Sequence, residues 1–326
     1  PLVVGTLVTV LSALAPARKA GQVKPVEAMR SSEDATPQPL RWRTIAGLIL
    51  VAAGVAAAFN TPLAGIVFGI EEMSRAFETR TSSLIIGAVI AAGLTSLALM
   101  GNYTYFGTSA TGLRNGADWL AVPLCGVAGG LAGGLFSRIL IAMARGFANP
   151  VGRAIKRYPV GFAAICGLAA AICGIASDGA IYGTGYQQVK SALETGSQLP
   201  ASFSVWKFLA TTFASISGIP GGIFAPSLAV GAGLGSNIAP LFHGAPLPAI
   251  MLLGMVSYFA GVVQAPITAF VIVTEMTDNH AMVVPLMAAA LIAHASSRLI
   301  CKEGVYHALA KGFIDRAAPA QKTTPA

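Results

Sequence analysis

The chain has 326 residues, of which 55% are hydrophobic and 10% charged, with a formal net charge of +8 and a mean hydropathy of +0.70. Soluble domains carry about a quarter charged residues, so this composition excludes a soluble enzyme and a basic nucleic-acid module. It describes an all-α polytopic membrane protein in a lipid bilayer, its 37 glycines suited to close helix packing and its excess Lys and Arg to cytoplasmic loops.

An apolar segment from Leu2 to Leu14 ends in Pro16-Ala-Arg-Lys-Ala and is followed by Pro25-Val-Glu-Ala-Met-Arg30. Cations just after a membrane segment place this linker in the cytoplasm. These strings resemble the last cytoplasmic junction of an FtsX-type ABC-transporter permease, and the resemblance ends near residue 52. A permease-like subunit is therefore one alternative function, although no Walker A pattern is present. A chain opening on Pro1 is expected to be a fragment of a longer product; no cleavable signal peptide is recognisable.

From Ala53 the character changes. Ala57 to Met73 reads as a short apolar helix with two adjacent carboxylates, Glu71 and Glu72, near its end. Apolar runs long enough to cross a bilayer follow at Ser82–Met100, Trp119–Ala144 and Met251–Val273. Between the first two, Gly101–Asp118 favours turns or short strands. Val160–Ile175 is a further apolar stretch, Tyr182-Gly-Thr-Gly-Tyr186 opens a short amphipathic helix through Leu193, and Trp206–Ser215 leads into the glycine-rich stretch that follows. Later elements are Ile250–Val263, a turn at Gln264-Ala-Pro266, Ile267–Met276, Val283–Ile300 and a helical stretch around Tyr306. The tail 317–326 has a disordered composition.

The stretch richest in chemistry is Gly218-Ile-Pro-Gly-Gly-Ile-Phe-Ala-Pro226, which leads into a small-residue helix. Glycine removes side chains and lets a ligand approach the backbone, and Pro226 suits the first helical position. The expected product is a set of N–H groups at the positive end of a helix dipole, an anion site. Transporters hold anions at half-helix N-termini near the bilayer midplane. The same residues would also serve as a plain turn between packed helices.

An internal repeat is visible. Asn60-Thr-Pro-Leu-Ala-Gly-Ile-Val-Phe-Gly-Ile-Glu71 aligns with Gln264-Ala-Pro-Ile-Thr-Ala-Phe-Val-Ile-Val-Thr-Glu275, each an amide, a residue, a proline, and a glutamate nine positions later. Glu71 thus has a counterpart in Glu275, and Glu72 is the unshared carboxylate. The cysteines (Cys125, Cys166, Cys173, Cys301) and the histidines (His243, His280, His294, His307) stand apart from one another, so no metal or redox cofactor is expected. No His or Asp accompanies Glu71 and Glu72, which speaks against a hydrolase; the chain is not expected to be an enzyme.

The glycine loop, Pro62-Leu-Ala-Gly-Ile-Val-Phe-Gly-Ile-Glu-Glu-Met73, and Ala265-Pro-Ile-Thr with Glu275-Met-Thr-Asp-Asn279 together resemble the CLC family of chloride channels and chloride/proton exchangers, over residues 53–313. The resemblance implies an inverted-repeat helical fold and a chloride site formed by Gly222, Ile223, Phe224, Ala225 and Pro226, with backbone N–H groups of Ile223 and Phe224 on the anion. It implies that Tyr306 adds a phenolic hydroxyl, and that Glu72 is the proton-transfer glutamate of exchangers, where channels carry an apolar residue. Arg75 and Arg80 are near enough in sequence to pair with Glu72 instead. Chloride and protons are then the substrates, a multi-pass inner or plasma membrane the location, a homodimer the assembly, and passive conduction the alternative to exchange. Ser82–Met100 and Ile250–Met276 are candidate dimer surfaces. The family's Gly-Ser-Gly-x-Pro filter string and Gly-x-Glu-Gly-Pro gating string do not occur in this sequence. The expectation is a composite: a permease-like 1–52, a partial CLC-like domain over 53–316, and a seam within Ile45–Ala58, inactive in transport by itself. Ser227, inside the helix, does not replace the missing filter serine.

Overall fold

The computed structural model describes residues 40–73, 79–101, 103–114, 116–146, 150–219, 221–242, 244–306 and 308–309. The permease-like junction, Arg75 and the tail 317–326 lie outside the described residues, as do the side chains of Glu72 and Arg80. Two compact units divide the chain, one formed by residues 1–103 with 313–326 and the other by 104–312. Every described regular element is helical.

In the first unit, α1 (Leu40–Phe59) runs without a break through the expected seam. It is followed by α2 (Pro62–Phe68), a π-helical turn (Gly69–Met73) and α3 (Thr79–Met100). Ala52, Ala56 and Val89 form its buried core, with Ile66 packed against them. The two carboxylates expected at the end of an ordinary helix lie in the π turn instead. Such turns are rare and recur at functional sites.

The second unit begins with a loop that makes no strand among its described residues. Its polar groups are drawn to a helix end: the N–H groups of Phe106 and Ser109 donate to the carbonyls of Met276 and Thr277, at 2.9 and 3.0 Å. Those carbonyls have no partner within their own helix, so the loop completes what strand pairing would otherwise supply. A 3-10 turn (Gly116–Leu120) then enters α4 (Ala121–Arg145), followed by α5 (Pro150–Arg157), α6 (Pro159–Ala176), α7 (Tyr186–Thr195) and α8 (Phe203–Ile216). The sequence reading had passed over α5. The remaining helices are α9 (Phe224–Ile238), α10 (Leu247–Val263), α11 (Pro266–Thr277) and α12 (Val283–Ile300).

Helix α10 is the core of this unit. Every residue from Pro248 to Val263 is buried, the pattern of a helix that is apolar all round. This corrects two expectations. Met251–Val273 is not one membrane span, because the chain breaks at Gln264 (φ +59°) into α10 and α11. Nor can Ile250–Met276 offer a dimer surface along α10, whose faces are all covered within the unit.

Glycine makes this enclosure close. A Cβ on Gly231 of α9 would lie 2.5 Å from the Gly254 carbonyl of α10, and one on Gly129 of α4 would lie 2.5 Å from Ser257 Cβ. On α4, Gly126, Gly130 and Gly134 face residues 289–297 of α12 in rising order, so these two helices run the same way, and α4 continues to Arg145 beyond the level at which α12 ends. Among the described residues, three stretches are long and apolar enough to cross a membrane: Gly116–Arg145, Pro159–Ala176 and His280–Ile300.

Candidate anion site

The glycine loop leaves α8 at Ile216. Ser217 Oγ donates to the Ala214 carbonyl (2.7 Å) and accepts from the Ile219 N–H (3.2 Å), and Gly218 takes φ +83°, which favours glycine. Gly221 and Gly222 are exposed, and a Cβ on either would meet nothing within 4 Å. The two glycines therefore border open space. Pro220 lies outside the described residues.

Helix α9 starts at Phe224 with Ile223 as its cap, two residues before the expected start. Pro226 is thus its third residue. This placement costs no hydrogen bond, because N–H groups of a first turn have no intrahelical acceptor in any case. For the same reason α9 provides no partner four residues back for the N–H groups of Phe224 and Ala225. The Ile223 carbonyl accepts from the Ser227 N–H at 3.1 Å, which closes the first turn. Ser227 itself is buried, and its hydroxyl has no partner among the described residues. It lies within the helix, as the sequence reading held.

Packing brings together two of the expected site residues that are distant in sequence. The Phe224 ring lies 4.9 Å from Phe259 and 6.1 Å from Tyr306, centroid to centroid. Ala225 is buried, while Ile223, Phe224, Pro226 and Tyr306 are half-buried. Glu72 belongs to the other unit, where its backbone forms part of the π turn.

A cavity of about 240 Å³ touches the loop at Gly221, Gly222 and Pro226, with Tyr182, Lys207 and Thr211 among its other walls. Tyr306 does not line it. Lys207, which the sequence reading had not singled out, is only 2% exposed. Its ammonium donates to the carbonyls of Ile181 (2.9 Å) and Gly183 (2.6 Å) and meets no carboxylate among the described residues. A buried charge without a counter-charge is costly, and an anion in the adjoining cavity would offset that cost. The available signal is a lone cation in the otherwise uncharged run Trp206–Ser215.

The sequence profile described as voltage gated chloride channel matches residues 35–298, beginning inside the linker assigned to the permease-like stretch. The H(+)/Cl(-) exchange transporter ClcA of Cronobacter sakazakii is 32% identical over 287 residues, covering 82% of this chain and 60% of the relative. The ClcA of Yersinia pestis bv. Antiqua is 31% identical over 278 residues, covering 79% and 56%. The chain thus spans less than two-thirds of the length of these curated relatives. Among solved structures, a CLC-type fluoride/proton antiporter superimposes with a TM-score of 0.68 at 23% identity, over 80% of this chain and 64% of that one. A slow cyanobacterial Cl-/H+ antiporter gives 0.61 at 23% identity, over 82% and 65%.

Proposed function

Because the chain belongs to the voltage-gated chloride channel family, we propose that it carries the chloride-binding portion of a chloride/proton exchanger. The supporting observation is the meeting of Phe224, at the first turn of α9, with Tyr306, 6.1 Å away between ring centroids. Chloride is the substrate and no further cofactor is assigned. The N–H groups of Ile223 and Phe224, the open backbone at Gly222, and the first-turn residues Ala225 and Pro226 form one side of the site; the Tyr306 hydroxyl adds a neutral donor. Neutral donors bind an anion without making its release prohibitive. Glu72 is the proton-transfer residue, and its unshared place in the repeat favours exchange over passive conduction.

Arg145 ends α4, Arg153 and Arg157 follow it, and Lys302 follows α12, so the end where these helices finish faces the cytoplasm of an inner or plasma membrane. The assembly is read as a homodimer. The first 52 residues are read as a permease-like addition, and the family's filter-serine and gating-glutamate strings are absent from this sequence. The chain as it stands is therefore expected to bind chloride without coupled flux.

The experiment is calorimetric titration of the detergent-purified chain with chloride, beside proteoliposome assays of chloride-driven proton uptake. Chloride binding weakened about tenfold or more in Tyr306→Phe, with no proton uptake, supports the whole reading. Uptake that vanishes in Glu72→Gln would overturn the inactive reading and keep the exchanger. Absence of chloride binding would sink both.

A further inference from the structure

A second cavity, of about 380 Å³, lies between the last two turns of α4 and the segment that leaves α12. Arg138, Ile141, Ala142 and Arg145 of α4 face Ile300, Cys301, Lys302 and Glu303 across it. One ion pair spans it, Arg145 Nη2 to Glu303 Oε2 at 2.6 Å. Among the described residues, Arg138 and Lys302 have no ion-pair or hydrogen-bond partner. The cavity is therefore left with two uncompensated cations beside a neutral pair.

Its wall is fixed. Gln264 Nε2 donates to the Cys301 carbonyl at 2.6 Å, and Cys301 Sγ lies 3.2 Å from the Glu303 carbonyl, so the short segment after α12 is tied to the end of α10. The cavity also sits at a defined depth. α12 belongs to a stretch, His280–Ile300, long and apolar enough to span a bilayer, and the cavity begins at its last residue, Ile300, the level of lipid headgroups. At that level Leu135 and Leu299 are 45% and 83% exposed, so apolar surface for acyl chains adjoins the cationic opening.

We propose that this cavity binds the phosphate headgroup of an anionic phospholipid, held by Arg138 and Lys302, with the Arg145–Glu303 pair as its far wall. Arg offers a planar fork to phosphate oxygens and Lys a point charge. A soluble phosphate would satisfy the same cations, but only a lipid also covers the exposed leucines. The position is separate from the glycine loop, and the proposal does not depend on chloride binding.

The test is the thermal unfolding midpoint of the full chain in neutral detergent with added phosphatidylglycerol, phosphatidylcholine or inorganic phosphate. Phosphatidylglycerol is expected to raise the midpoint by at least about 2 °C over phosphatidylcholine, the increment that preferential binding to the folded state gives. Arg138→Gln/Lys302→Gln should lose that difference, and the charge-preserving Arg138→Lys/Lys302→Arg should keep most of it. If the neutral double variant fails to fold, Lys302→Gln alone is read in the same way. Equal effects of the two lipids, or a difference retained after charge removal, would overturn the proposal. An equal rise with inorganic phosphate would overturn the lipid assignment.

Discussion

Asn60 and Gln264, in different units, adopt the same left-handed backbone, φ +54° and +59°, and use their side-chain amides in the same way. Asn60 Nδ2 donates to the Tyr103 carbonyl and Gln264 Nε2 to the Cys301 carbonyl, each at 2.6 Å. Each acceptor lies just past the third helix of its own triplet, after α3 in one and after α12 in the other. The sequence repeat is thus a repeat of mechanism: an amide breaks one helix, a proline two residues on starts the next, and the freed side chain secures the end of the third.

Gln264 should therefore be sensitive in two separable ways. Gln264→Ala keeps a Cβ in the left-handed region and loses the amide's hydrogen bonds to Cys301 and Ser297, a loss of about 1–3 kcal/mol. Gln264→Gly loses the same bonds but removes the Cβ, which offsets about 1–2 kcal/mol of that loss. Unfolding midpoints of the purified chain should be lowest for Ala, with Gly above it; the reverse order for the two variants would refute the backbone argument.

Chloride affinity should report on Tyr306 without disturbing the fold. Tyr306→Phe keeps the ring beside Phe224 and removes one donor to an anion, so the chloride dissociation constant should rise about tenfold or more. An unchanged titration would remove the hydroxyl from the site.

Lys207 makes a different prediction. Lys207→Met removes the only cation lining the cavity beside the glycine loop, and chloride binding should weaken severalfold, whereas Lys207→Arg should retain most of it. Comparable losses in both variants, with lowered unfolding midpoints, would assign the lysine to holding Ile181 and Gly183 alone.

Two glycines that look alike in the sequence should behave in opposite ways. A Cβ on Gly254 would press into the backbone of α9, where Gly235 Cα would be 2.7 Å away. Gly254→Ala should accordingly cost about 1–3 kcal/mol or more as overpacking and reduce folded yield. Gly221→Ala meets no atom within 4 Å and should fold normally. Size-exclusion profiles and unfolding midpoints check both.

Tyr258 is fully buried between Phe136 and Phe208, and its hydroxyl has no partner among the described residues. Burying an unpaired polar group is unfavourable. Tyr258→Phe should leave the unfolding midpoint unchanged or raise it; a clear fall would reveal a partner for the hydroxyl.

Much of this protein was legible in its residues one stretch at a time. Apolar run lengths placed α3, α4, α6 and α12 to within a few residues, Gln264-Ala-Pro266 marked a helix break, and Gly218–Pro226 marked the start of α9. Each of these follows from local rules: proline lacks an N–H, glycine accepts positive φ, and a helix leaves its first N–H groups unpaired. Tertiary structure alone decided that α10 is the enclosed core, that Tyr306 reaches Phe224, that Lys207 is buried beside the loop, and that Arg138 and Lys302 share one cavity. The reason is physical. In a membrane protein the lipid is as apolar as the interior, so hydrophobicity says that a helix avoids water without saying which of its faces meets protein.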